Sequence, residues 1–457
     1  MLKPYESYKE VNEVWVKDTP RHWEFKRIKH IFYNRTEKNY PIKTECVLSL
    51  SAKNGVELQA EKTNKGGNKP KSDFSKYNVA YDQDLLVNCM NVVSGSSGVS
   101  NWYGAISPVY YALHTRYSEV NIRYYHYLFR FKPFYRSILR FSKGILMHES
   151  DNGNLNTVRM RISIESLNNI NIPIPSYAEQ DQIVKYLDWQ TSKINTLIVA
   201  KKNQIKLLKE QRQAVINKAV TKGLEDSVPM KDSGVEWLGE VPEHWENCRL
   251  KQVADLINDK TSENTMKYIG MENIKSWTGE YIQTEIVKPE GTSSKYYDNC
   301  ILFGKLRPYL AKVLIANDDG ICSGELLVLR PVSINITLLK YILLSPVVID
   351  IINSSTYGAK MPRANWNFIG NVEIPLQPLE EQQAIVTYLE QKTALIDKAI
   401  AVIEKEIDLV SEYKTSLISS VVTGKVDVRD VTVPEFEVVD DAVEDANEDN
   451  VIGMEEM

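Results

Sequence analysis

Five cysteines in 457 residues stand far apart, at Cys46, Cys89, Cys248, Cys300 and Cys322. None forms a CxxC pair and none has a histidine at ligand spacing, so the pattern excludes a structural zinc and a disulfide framework. No apolar run reaches the roughly 18–20 residues that a membrane span needs, and the opening MLKPYESYKE lacks the apolar stretch of a secretion signal. The expectation is a cytoplasmic protein with no membrane partner. Nucleotide and catalytic motifs are missing too. There is no GxxxxGKS/T loop and no strand–GxGxxG–helix unit, and Gly66-Gly67 and Gly95-Ser96-Ser97-Gly98 fall in polar loops. No Asn-Pro-Pro-Tyr or Asp-Pro-Pro-Tyr adenine-methylation motif occurs, and the six histidines form no HExxH cluster. The chain is expected to be non-catalytic, with no metal site.

What is present suits a soluble multidomain protein. The hydrophobic share of 43% leaves enough apolar material for sizeable cores, and the length gives room for two to four domains. The net charge of −5 misleads if taken whole, because ten acidic residues and no Lys or Arg lie between Pro434 and the end. That tail has the composition of an unstructured segment. Residues 24–170 carry 21 Lys+Arg against 12 Asp+Glu, whereas residues 246–371 carry 14 against 13. One segment has the electrostatic footprint of a phosphate-binding surface, and the other does not on charge alone.

The chain repeats itself. WVKDTPRHWEFKRIK from Trp15 returns as WLGEVPEHWENCRLK from Trp237, with Pro20, His22 and Trp23 matching Pro242, His244 and Trp245. NINIPIPSYAEQDQIVKYL returns as NVEIPLQPLEEQQAIVTYL, so Glu179-Gln180 matches Glu381-Gln382. Between them GAISPVYYAL from Gly104 aligns with GICSGELLVL from Gly320. Three matches in one order mark a tandem duplication. The interiors otherwise diverge, and Trp23 to Pro175 spans 152 positions against 130 from Trp245 to Pro375. Common borders with unlike interiors suit two readers on one frame; neutral drift after an old duplication is the alternative. His22 and His244 read as packing residues at a domain border.

Each copy ends in a long helix. Residues 178–222 contain no Pro or Gly, and apolar residues recur at Ile183, Leu187, Ile194, Leu197, Ile198, Ile205, Leu208, Val215 and Ala219. The second copy repeats this from Ile385 to Val421, and Gly223 and Gly424 stand where C-cap glycines would. A helix of ~40 residues is ~60 Å long. With one apolar stripe it needs a partner along its length, either the other copy's helix, antiparallel, or its own globular segment. The paired arrangement is favoured, and it would set two readers ~18 base pairs apart at most.

The paired EQxxIVxYL helix starts, the PxHW borders, SPVYYAL, FGKLRPYLAKV from Phe303 and MPRANW from Met361 together resemble the specificity subunits of type I restriction–modification enzymes. The resemblance spans residues ~15–425, both copies in order. It implies an α+β fold: two mixed α/β target-recognition domains separated by two long helices that form an antiparallel coiled coil, a pseudo-two-fold tandem repeat. The expected division is recognition domain 1 over 1–175, a central conserved helical region over 176–226, recognition domain 2 over 227–376, a distal helical region over 377–426 and an acidic tail over 427–457. It further implies that each domain reads one half of a bipartite, asymmetric site in double-stranded DNA, and that the helices dock two methyltransferase subunits, with restriction (translocase) subunits joining the complex. S-adenosylmethionine and ATP are then expected on the partner subunits, with no cofactor on this chain.

Candidate DNA contacts follow from residue type. Extending the GAIS/GICS alignment upstream without a gap places Leu85-Leu86-Val87 on Ile301-Leu302-Phe303 and Asn91 on Arg307, each in an apparent hairpin of a short strand, a polar loop and the Gly-x-x-Ser strand. Arg pairs with guanine and Asn with adenine, so the two positions suit unlike half-sites; contact with phosphate or solvent is the alternative. Lys65, Lys69 and Lys71 lie in a Gly- and Asn-rich loop, and Lys305, Tyr309 and Lys312 flank Arg307. Tyr357, Lys360 and Arg363 precede the second helix border, and Lys143, Arg159 and Arg161 occupy the corresponding stretch of the first copy. The tyrosine run Tyr124, Tyr125 and Tyr127 reads as core.

Overall fold

The computed structural model describes residues 3–62, 73–90, 95–145, 159–263, 265–284, 291–358 and 361–439. The chain divides into two compact units, one built from 1–202 with 405–457 and the other from 203–404. Packing therefore groups the chain differently from the linear order of segments, because each long helix contributes one half to each unit.

In the first unit a four-stranded sheet runs in the order Phe32–Arg35, Tyr110–Thr115, Leu85–Asn88, Ser97–Val99, all neighbours antiparallel. In the second unit Ala254–Ile257, Leu326–Pro331, Ile301–Gly304 and Val313–Ile315 follow the same order, again antiparallel. The register agrees with the duplication: Leu86 faces Ala112 in one sheet and Leu302 faces Val328 in the other. One expectation is corrected. The hairpin partner of Leu85–Asn88 is Ser97–Val99, whereas Gly104–Ile106 pairs with Asn78–Ala80. Three-residue strands such as Ser-Gly-Val carry too little alternation to be seen in sequence.

Helices cover one face of each sheet. Ile122–Arg130 is capped by Asn121, and Ile336–Leu343 by Asn335, whose side chains accept from amides of the first turn. Tyr124 and Tyr125 are fully buried in the first core, as read from sequence. Ile336–Leu343 and Pro346–Ser354 meet at a 60° bend and pack into the second core, and among the described residues no single helix is long and apolar enough to cross a membrane.

The two long helices are Tyr177–Lys222 and Leu379–Val422. Within the first unit Ile183, Leu187, Ile194 and Ile198 share a core with Leu417, Val421 and Val422. There Lys201 bonds Glu406 at 2.6 Å and Lys414 bonds Asn195 at 2.7 Å, so numbers rise on one helix as they fall on the other. Within the second unit Arg212, 6% exposed, meets Asp397 at 2.9 Å and donates to the Trp277 carbonyl. A guanidinium this buried needs both partners, since burying an unpaired charge costs several kcal/mol. Leu197, read as part of the apolar stripe, is instead 43% exposed.

The acidic tail begins later than composition indicates. Residues 427–439 lie along the first long helix: Gln182 Nε2 donates to the carbonyls of Val428 and Val431 at 3.0 and 2.6 Å, and Asn195 Nδ2 donates to that of Val439 at 2.6 Å. Val428 is fully buried in the first core and Val431 and Val433 pack against it. A short run of valines ahead of the acidic residues supplies the apolar contact that the charge count hides.

Candidate nucleic-acid interface

The strand Ile301–Gly304 leads into a loop that doubles back to Val313–Ile315. Arg307 and Ala311 bracket a single turn, Pro308–Leu310, and both are left-handed, with φ of 50° and 47°. Such angles are costly for non-glycine residues and persist only where surrounding bonds fix them. Those bonds come from the MPRANW stretch. Arg307 N donates to the Pro362 carbonyl at 2.7 Å, Ala364 N to that of Lys305 at 2.9 Å, and Tyr357 and Arg363 exchange bonds of 3.2 and 3.0 Å. The guanidinium of Arg363 grips Glu325 from Nε at 3.0 Å and from an NH2 group at 2.9 Å, and the Glu325 carbonyl accepts from Lys305 N at 3.0 Å.

Two segments read separately in the sequence thus form one ridge. Tyr309, Tyr357 and Met361 are exposed, while Lys305 and Arg307 are half-buried. Lys312 is 8% exposed and its Nζ donates to the Met271 carbonyl at 2.8 Å, so it braces the loop from beneath. The guanidinium of Arg363 is likewise turned to Glu325. Lys360 lies outside the described residues.

Two of these backbone bonds recur in the first unit. Ile162 N donates to the Cys89 carbonyl at 3.0 Å, Cys89 N to that of Val109 at 2.9 Å, and the Tyr111 hydroxyl to that of Ile162 at 2.9 Å. Lys143–Ile145 pairs with Arg159–Arg161, setting Lys143 opposite Arg161, and both of these side chains are exposed. Arg159 is placed by its backbone alone. Lys65, Lys69, Lys71 and Asn91 lie outside the described residues.

A further cationic and aromatic cluster in the first unit escaped the sequence reading. Arg35 lies 4.3 Å from the Tyr81 ring centre, and Arg116 5.6 Å from that of Tyr33. Asp84, fully buried, accepts from Arg35 Nε at 2.9 Å and sits 2.9 Å from His114 Nδ1. The alternation Tyr33/Arg35 on one strand and His114/Arg116 at the end of its neighbour was the available signal.

The repeated motifs do mechanical work at the helix starts. Glu179, 3% exposed, accepts from the Tyr5 hydroxyl at 2.6 Å and Trp23 Nε1 at 2.9 Å, with His22 Nε2 at 3.0 Å. Burial and this carboxylate hold the Tyr5 hydroxyl far above its usual range. In the second unit Glu381 binds Trp245 Nε1 and His244 Nε2 in the same way. Gln180 accepts from Asn121 N and Gln382 from Asn335 N, each at 2.9 Å, tying the long-helix start to the capping residue of the sheet-covering helix. Among the described residues no group of three or more His, Cys, Asp or Glu could hold a metal ion.

Two mixed α/β units share one sheet order and are each fastened to the long helices by a Glu-Gln/His-Trp clasp, and the second presents a loop ridge on its sheet; together they define a duplicated frame. Residues 20–207 and 242–407 each match the family described as the type I restriction modification DNA specificity domain, and the chain belongs to this family. It is 25% identical over 305 residues to the type I restriction enzyme EcoDI specificity subunit of Escherichia coli, a match covering 62% of this chain and 68% of that one. It is 27% identical over 282 residues to the MjaVIII specificity subunit of Methanocaldococcus jannaschii, covering 58% and 64%. A solved chain from a study of complex assembly and conformational transition in the type I R-M system superposes with a TM-score of 0.63 at 15% identity, covering 89% of this chain and 99% of that one, which shows the shared fold.

Proposed function

We propose that this chain reads a bipartite, asymmetric sequence in double-stranded DNA, one half with each unit, and performs no chemistry of its own. The observation that carries this reading is a shared sheet order with the same backbone bonds at the loop root and unlike side chains on it. Cys89/Ile162 and Lys305/Ala364 make equivalent backbone bonds, yet the loops they root differ in length, charge and residue type. Equivalent scaffolds with different base-facing groups yield different half-sites.

The two long helices act as the spacer, pairing as an antiparallel coiled coil about a pseudo-two-fold axis. Opposed contacts within each unit, Lys201 with Glu406 and Arg212 with Asp397, support that pairing. The helices also dock two methyltransferase subunits, which bring S-adenosylmethionine. Restriction (translocase) subunits bring ATP, and the complex works in the cytoplasm in defence against phage. Lys305, Arg307, Tyr309 and Tyr357 face DNA in the second unit, and Lys143 and Arg161 in the first.

Mapping methylated adenines in a genome that carries this chain with its modification subunits tests the reading directly. Two short, unlike half-sites at one fixed separation are expected. A continuous or palindromic site, or no methylation that depends on this chain, overturns it.

A further inference from the structure

Arg161 and Arg363 occupy the same place in the two units. Each stands one residue before the amide, Ile162 N or Ala364 N, that bonds the carbonyl at the loop root, Cys89 at 3.0 Å or Lys305 at 2.9 Å. In turn the amides of Cys89 and Lys305 bond the carbonyls of Val109 and Glu325 at 2.9 and 3.0 Å. The position that supplies the carboxylate to Arg363, Glu325, is therefore Val109 in the first unit.

The consequence is electrostatic. Arg363 is neutralised in a two-pronged pair with Glu325, and a phosphate would have to displace that carboxylate to bind it. Arg161 is exposed and has no carboxylate partner among the described residues. Its neighbours are the Cys89 thiol and the Tyr111 hydroxyl, and burial raises the first above its usual range and the second to about 12. Both bond the Arg161 side chain and both are neutral at pH 7, so neither cancels the charge of the guanidinium.

We propose that one arginine position serves two ends: Arg161 binds a DNA phosphate in the first unit, whereas Arg363 is a positioning residue that, with Glu325, holds the 305–312 loop in register with Tyr357 and residues 361–364. This rests on the DNA-reading function proposed above. The pair is 37% and 29% exposed, where an ion pair adds little to stability, so its role is geometry. Val109 in place of Glu325 also fits the greater positive charge of the first unit's globular segment.

The test uses the full-length chain and a random-sequence duplex of about 40 base pairs, with affinity followed against KCl. Each phosphate contact contributes about 0.9 to the slope of log K against log salt. Arg161→Gln is expected to make the slope shallower by about that amount, and Arg161→Lys to restore it. Arg363→Gln should leave the slope unchanged, and Glu325→Gln, which frees Arg363, should steepen it. Thermal melting of each variant confirms that it is folded. Equal slope changes for Arg161→Gln and Arg363→Gln, or none for a folded Arg161→Gln, overturn the inference while the functional reading stands. A wild-type chain that does not bind the duplex overturns both.

Discussion

The Trp23 indole donates to Glu179 Oε1 at 2.9 Å in a site where the tryptophan is wholly buried and the carboxylate is 3% exposed. The equivalent carboxylate, Glu381, bonds Trp245 but is 40% exposed. Water can satisfy the donors around Glu381 when that carboxylate is removed; it cannot reach the buried Tyr5 and Trp23 donors around Glu179. Glu179→Ala would leave the Trp23 and Tyr5 donors buried and unpaired, at about 1–3 kcal/mol each. Glu381→Ala should cost about 1 kcal/mol or less. Denaturant unfolding of the two variants gives the comparison, and equal losses would show that exposure does not govern the clasp.

The glycines that close the two long helices differ in the same sense. Gly223 and Gly424 both have positive φ, 78° and 74°. A Cβ on Gly424 would lie 2.4 Å from Pro20 Cδ and 2.9 Å from Trp23 Cη2, whereas on Gly223 its nearest neighbour is Trp245 Cζ2 at 3.3 Å. Both alanine variants should lose about 1–2 kcal/mol for the left-handed backbone. Gly424→Ala should lose about 1–3 kcal/mol more for the clash. Thermal melting that ranks Gly223→Ala as the worse would refute this.

His126 gives the first unit a pH dependence. Burial, reinforced by Arg130 and Arg123, pushes its pKa down to about 3. Unfolded histidine titrates near ~6.5, so between these values the unfolded chain binds a proton that the folded chain refuses. Stability from this group is complete above ~6.5 and falls as the pH drops toward 3, by at most about 1.4 kcal/mol per unit. The melting temperature of the wild type should therefore fall between pH 7 and pH 5, and less so for His126→Gln. Parallel pH profiles would assign the loss to other groups.

Arg307 tests base reading itself. The strained backbone, fixed by the Pro362 carbonyl, presents this residue at the turn of the second unit's ridge. Arg307→Ala should relax discrimination at one base of the second half-site by about 1–3 kcal/mol. Equal weakening of cognate and non-cognate duplexes would place the side chain on phosphate.

The sequence by itself determined the duplication, the two long helices and the registration of the repeats, because those rest on local periodicity and on motifs repeated in order. The 3.6-residue spacing from Ile183 to Ala219 is legible without any tertiary contact, as is the alignment of Leu85-Leu86-Val87 with Ile301-Leu302-Phe303. Tertiary structure alone decided what the repeated polar residues are for. Glu179 and Trp23 are 156 positions apart, and Arg363 and Glu325 are 38 apart, so no local rule links them. The split of each helix between two units, and the valines that fasten 427–439 ahead of the acidic tail, also emerged only in the fold. A side chain's charge is written in the sequence. Whether that charge meets a carboxylate, as at Arg363, or a neutral thiol and hydroxyl, as at Arg161, depends on which distant strand packs beside it.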